Sequence, residues 1–163
     1  MKRARVLAPH KVVIEEVPKP KPAPNEVLIR VEYCGICGSD IHAFLGKHPF
    51  ISPPITPGHE FSGTVEDVGS NVEEFEPGDK VTVIPQLICG RCYNCRIGRY
   101  NICRNLKVIG CQVDGAMAEY FTVDKDLVFK IPKEMSLKDA ALVEPAAVAV
   151  HAVRISGIRL GDN

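Results

Sequence analysis

The chain lacks an excess of charge of either sign: of its 163 residues, 20 are Lys or Arg and 20 are Asp or Glu. That balance speaks against general nucleic-acid affinity and against a polybasic membrane anchor. There is no apolar run near the roughly 18–20 residues that would span a bilayer. The N-terminus, Met1-Lys2-Arg3-Ala4-Arg5-Val6-Leu7, has basic residues but no hydrophobic stretch of a secretory signal, because Pro9, His10 and Lys11 follow at once. A cytoplasmic chain with neither nucleic-acid nor membrane partners is the expectation. No internal repeat occurs, and the only low-complexity tract is a Lys/Pro connector. No G-x-G-x-x-G is present and strands do not alternate with helices, so no dinucleotide-binding domain is expected within these residues.

Cysteine, glycine and proline are plentiful instead. Seven cysteines are an odd number, and without an export signal a disulfide framework is not expected. Glycine and proline number 13 each, which predicts turns and short strands rather than a helical bundle. Residues 3–7, 12–17, 27–33, 61–68, 80–84, 118–123 and 127–131 have the composition of strands. Pro18-Lys19-Pro20-Lys21-Pro22-Ala23-Pro24 is a stiff extended connector. A mainly β domain results, barrel-like or sandwich-like. Near the end the pattern changes. Ser136 followed by Asp139 predicts a capped helix start, with a short helix over 137–143. Pro145 suits the first position of a second helix, 146–155, ending near Gly157. Glu144 then lies at the junction of the two helices.

Cys89, Cys92, Cys95 and Cys103 form a C-x2-C-x2-C-x7-C array. Two-residue spacers let neighbouring thiolates converge on one ion, and the longer return closes a loop around it. Four sulfurs suit a closed tetrahedral structural zinc site. Zinc with four thiolates is formally a dianion. From Lys80 to Val113 there is no acidic residue, while Arg91, Arg96, Arg99, Arg104 and Lys107 are present to offset it. An iron–sulfur cluster competes, but the bacterial ferredoxin run has a closer fourth cysteine followed by proline, whereas Arg104 follows Cys103 here. A nucleic-acid-binding zinc ribbon competes too, against the neutral charge of the chain, and so do four unrelated core cysteines.

A second set is scattered. Cys34-Gly35-Ile36-Cys37-Gly38-Ser39-Asp40-Ile41-His42 packs two thiols, a hydroxyl, a carboxylate and an imidazole into nine residues. Pro57-Gly58-His59-Glu60 puts an imidazole beside a carboxylate. On spacing alone either stretch is weak, since a lone Cys or His is more often core or surface than ligand. Together they carry a resemblance. Gly58-His59-Glu60-x2-Gly63-x5-Gly69-x2-Val72 resembles the signature of zinc-containing alcohol dehydrogenases of the medium-chain dehydrogenase family. Cys37-Gly38-Ser39-Asp40-x-His42 resembles that family's catalytic-cysteine region, and the four-cysteine array its structural-zinc lobe.

The resemblance implies a GroES-like barrel with short C-terminal helices and a zinc-binding lobe at 88–105, occupying residues 1–156. It implies two zinc ions, one catalytic and one structural. Cys37 and His59 are then catalytic-zinc ligands, and Glu60 is a third ligand or a close neighbouring carboxylate. Asp40 orients the zinc-bound histidine, and Ser39 and His42 relay the alcohol proton to solvent. Glu144, in a Glu-Pro pair, resembles the polyol branch of sorbitol and butanediol dehydrogenases, with threonine dehydrogenases nearby. His151 lies in an apolar helical run and is expected to be structural. The implied reaction is zinc-assisted hydride transfer from a secondary alcohol or polyol to NAD or NADP. A free hydroxyl titrates near pH 16 and a metal can bring a bound one to about 7. That is on the order of 12 kcal/mol of differential stabilisation. Residues 157–163 are expected to begin a linker to a separate nucleotide-binding domain, without which the chain would be inactive. Self-association, or pairing with such a domain, is compatible with this reading. The competing function is a non-catalytic zinc-binding scaffold module.

Overall fold

The structure, a computed structural model, describes residues 1–159, 161 and 162. Leu160 and Asn163, in the stretch read as a linker, lie outside the described residues. The fold opens with a hairpin of β1 (Lys2–Ala8) and β2 (Lys11–Glu16). The main sheet is antiparallel and has five strands: β3 (Glu26–Cys34), β4 (Phe61–Val68), β5 (Lys80–Val83), β8 (Tyr120–Asp124) and β9 (Val128–Lys130). Their spatial order is β8-β3-β4-β5-β9. Single bridges, Arg3 to Ala118 and Val6 to Ile55, tie the hairpin to the segments that lead into β8 and β4. A small ladder of β6 (Gln86–Leu87) and β7 (Lys107–Val108) closes the base of the cysteine lobe.

Val27 and Ile29 of β3, Phe61 and Val65 of β4, and Val81 and Val83 of β5 share one core with Ile109, Val123 and Val128. Their alternation along each strand places one side-chain face against that core. Phe61 meets the Phe121 ring edge-on, with centroids 5.5 Å apart. Its full burial contributes about 1.5–3 kcal/mol. A second, smaller cluster of Val6, Ala43, Ile51 and Ile55 joins the hairpin to the first helix.

The helices are α1 (Gly38–Phe44), α2 (Tyr93–Arg96), α3 (Leu137–Ala140) and α4 (Val143–Ser156). The first has no counterpart in the sequence pattern, because seven residues are too few to show helical periodicity. Ser136 caps α3 as expected, accepting from the Asp139 amide at 3.1 Å. The boundary beyond it differs from the expectation. Helix α3 stops at Ala140 and α4 begins at Val143, so Pro145 is the third residue of α4 rather than its first. The first four helical N–H groups have no partner within the helix, so proline fits there as well. Glu144 consequently sits inside the first turn of α4. Among the described residues α4 buries none of its own, and Val148, Val150, Val153 and Ile155 are exposed.

Candidate metal centres

Strand register creates the first centre. Cys34 at the end of β3 pairs with Phe61 at the start of β4. The chain leaving β3 therefore runs beside the chain entering β4, and Gly35 N continues the ladder by donating to Glu60 O at 2.6 Å. The leaving segment carries Cys37 and the entering one His59 and Glu60. One donor atom from each of these three side chains lies within 4.8 Å of the other two.

Local chemistry holds this arrangement. Cys37 precedes α1, and its amide donates to Asp40 Oδ2 at 2.8 Å, so Asp40 fixes the cysteine's backbone as a helix-start carboxylate. The other Asp40 oxygen, Oδ1, is 3.9 Å from His59 Nδ1. Both atoms are buried and lack a hydrogen-bond partner among the described residues, as does Ser39 Oγ. His59 is 7% exposed and Asp40 6%. Buried polar atoms without partners are costly, and all three belong to His59 or to residues within three positions of Cys37, which suits a site built to take a polar occupant. Sulfur, nitrogen and oxygen donors suit zinc, and three protein donors leave a fourth position open. The residues thus fit a zinc ion of the catalytic type. Gly35 makes room for the carboxylate, since a Cβ there would lie 2.5 Å from Glu60 Oε2.

Two further thiols flank the centre without joining the donor set. Burial, reinforced by the charges of Asp40 and Glu60, pushes the Cys34 thiol up to about 12. Burial, with Asp40 and Cys37 nearby, pushes Cys111 to about 11. Both stay protonated at neutral pH. Cys111 carries no spacing signal in the sequence, and only the fold brings it here.

Glu144 lies outside the three-donor set. Burial raises its carboxyl above the usual range, while His59 pulls it down and Glu60 pushes it up, so all three share one electrostatic neighbourhood. It lines a cavity of about 600 Å³ between α4 and strands β5 and β9, with Val83, Phe129, Met135 and His151. His151 is exposed on that wall rather than packed in a core. His42 is exposed on α1, three residues from Ser39.

The second centre is the lobe. Cys89, Cys92, Cys95 and Cys103 bring their sulfurs within 4.8 Å of one another, with Cys95 and Cys103 buried. Backbone amides point at the sulfurs. Those of Arg91 and Cys92 lower the Cys89 thiol, and those of Arg104 and Cys95 lower Cys92 to about 6. Cys89 N also donates to Cys103 Sγ at 3.3 Å. Amides aimed at sulfur favour thiolates, the form that binds metal, at Cys89 and Cys92, whereas burial, reinforced by the neighbouring sulfurs, pushes Cys95 up to about 12. The side chains of Arg91, Arg96, Arg99, Arg104 and Lys107 are exposed around them. The array fits a closed zinc site.

Residues 23–133 match the alcohol dehydrogenase GroES-like domain family. The chain is 41% identical to (R,R)-butanediol dehydrogenase of Bacillus subtilis over 174 residues, covering 99% of this chain and 49% of that protein. It is 39% identical to sorbitol dehydrogenase of the same organism, covering 99% and 47%. A crystal structure described as a zinc-binding dehydrogenase from Sinorhizobium meliloti, bound to NADP, superposes with a TM-score of 0.93 at 41% identity, covering 99% and 47%. The chain spans about half the length of these relatives.

Proposed function

Because the chain belongs to the alcohol dehydrogenase GroES-like domain family, we propose that it is the zinc-carrying part of an NAD(P)-dependent alcohol or polyol dehydrogenase. The observation that carries this reading is the convergence of Cys37, His59 and Glu60 from two chain segments, with donor atoms within 4.8 Å of one another. A zinc ion bound there would supply a Lewis acid that eases loss of the alcohol proton, an effect worth several kcal/mol.

The chain's own residues do the rest. Cys37 and His59 hold the ion, with Glu60 as the third ligand or its carboxylate neighbour. Asp40 fixes Cys37 through its backbone and presents its free oxygen to the His59 ring, which supports an orienting role. Ser39 Oγ would take the substrate proton as it gives up its own hydroxyl proton, which would leave toward solvent by way of the exposed His42. The four-cysteine lobe is structural and offers no open position. Glu144, beside the donor set, is a partner for a second substrate hydroxyl or amine, which favours vicinal diols and amino alcohols. The names of the butanediol and sorbitol dehydrogenase relatives support that substrate class. Hydride acceptance by NAD or NADP belongs to a further domain, to which residues 157–163 lead from the catalytic domain at 1–156. Work in the cytoplasm fits seven free cysteines, and among the described residues no helix is long and apolar enough to cross a membrane. The apolar surface of α4 is available for self-association or for pairing with that domain.

Metal analysis of chain purified without chelators tests the reading. Two zinc ions per chain are expected. One zinc, retained when Cys37 is replaced by Ala, would remove the catalytic centre from the proposal. Added NAD or NADP should give no alcohol oxidation by the 163 residues alone, and robust turnover would overturn the assignment of hydride acceptance to a further domain.

A further inference from the structure

His59 and Glu60 follow a segment, 56–58, that is buried yet has no regular secondary structure. Its conformation comes from a second strip of chain, 115–117. Gly115 N donates to Thr56 O at 2.7 Å, Ala116 N to Gly58 O at 2.9 Å, and Met117 N to Pro57 O at 3.0 Å. Three consecutive amides thus grip three consecutive carbonyls immediately before the ligand pair.

Such an approach needs glycine on both sides. A Cβ on Gly115 would run into Gly58 O and lie 2.6 Å from Gly110 Cα and 2.7 Å from Pro57 O. A Cβ on Gly110 would lie 2.8 Å from both Gly58 N and Gly58 O. Gly58 itself has φ +102°, and its Cβ would meet Met117 N at 2.9 Å. At Gly110 and Gly115 every obstructing atom is backbone, so no side chain can swing aside to relieve the overlap. Gly110 has φ +77°, a conformation that disfavours other residues, whereas Gly115 is excluded on space alone.

We propose that Gly110 and Gly115 are positioning residues for the mixed site, setting through Gly58 the backbone from which His59 and Glu60 reach Cys37. This inference rests on the reading of Cys37, His59 and Glu60 as a metal centre. A methyl group at residue 115 would sit under 3.0 Å from backbone atoms of Pro57, Gly58 and Gly110, so the two strips must move apart. The displacement falls on the residue directly before His59. The four-cysteine lobe keeps its own ligands and loop, so the two metal sites respond differently.

Cobalt(II) loading of the full chain tests this, because thiolate-rich and mixed sites absorb differently and Cys37→Ala identifies the mixed-site bands. Gly115→Ala should keep the four-cysteine spectrum and lose roughly 10–100-fold in mixed-site affinity, the range seen when support behind a metal ligand is removed. Equal affinity in Gly115→Ala and wild type would overturn the proposal. Should Gly115→Ala fail to fold, hydrogen exchange on the wild-type chain decides. By reciprocity, filling the mixed site must protect the amides of 115–117, and Cys37→Ala must abolish that protection. Unchanged exchange on filling would overturn the clamp. A wild-type chain that takes up no second metal would instead overturn the metal reading itself.

Discussion

Replacing Asp40 with Asn separates the carboxylate's charge from its role at the helix start. In the structure one oxygen accepts from Cys37 N at 2.8 Å, and the other faces His59 Nδ1 from 3.9 Å without a partner. Asparagine keeps an oxygen for the Cys37 amide, so the loss at the start of α1 should be only about a few tenths of a kcal/mol, well short of the roughly 1 kcal/mol lost when such a group is removed. Removing a buried carboxylate with an unpartnered oxygen also relieves desolvation. Metal-free Asp40→Asn should therefore be as stable as wild type or slightly more so in urea unfolding. With metal the sign reverses. Loss of the charge beside the histidine should weaken the mixed site roughly 10–100-fold, or about 1.4–2.7 kcal/mol. Zinc competition against a chromophoric chelator measures this while the four-cysteine zinc serves as internal reference. Wild-type affinity in Asp40→Asn would refute the orienting role. A metal-free protein destabilised by well over 1 kcal/mol would show that Asp40 serves the fold instead.

Cys103→Ser should release one zinc and loosen residues 88–105, with hydrogen exchange in β3, β4 and β5 unchanged, because the base ladder of Gln86–Leu87 and Lys107–Val108 pins both ends of the lobe. In the complete enzyme Glu144→Ala should retain most of the zinc and lower turnover, whereas Cys37→Ala should lose the mixed-site zinc. Unchanged zinc and turnover in Glu144→Ala would reduce Glu144 to a helix-start residue and remove support for a diol substrate. Burial pushes the Asp79 carboxyl up, but Lys130 at 2.7 Å and the Glu76 amide outweigh it, and the net shift is downward. A carboxyl lowered by folding stabilises the native state above its unfolded value near 3.8 and loses that contribution as pH falls through the folded value. The stability difference between wild type and Asp79→Asn should therefore be constant near neutrality and shrink below about pH 4 in urea titrations; a pH-independent difference would contradict the ion pair.

The strands and the lobe were legible because their signals are local. Residues 27–33 and 61–68 show strand composition that any window along the chain displays, and they form β3 and β4. Cys89, Cys92 and Cys95 are close enough in sequence that short loops force their sulfurs together, and Cys103 returns within one turn of chain. Helix α1 was not legible, since its seven residues are stabilised by Asp40 and by packing of Ala43 on the hairpin rather than by a pattern of their own. The start of α4 differs from its sequence signal because Pro145 is tolerated anywhere in a first turn.

The residue types at 37, 59 and 60 are a property of the sequence, and with them the chemistry available to the centre. Their meeting is not. It depends on the pairing of Cys34 with Phe61 and on three amides from 115–117 gripping carbonyls of 56–58, contacts between residues far apart along the chain. Glu144 shows the same division: its identity is written in the chain, but its place near His59 and Glu60 and outside the three-donor set is set by the fold. Local composition can specify a strand or a cysteine loop because the interactions involved span a few residues. A centre assembled from separate segments is specified only when the packed sheet sets their distances to within an ångström.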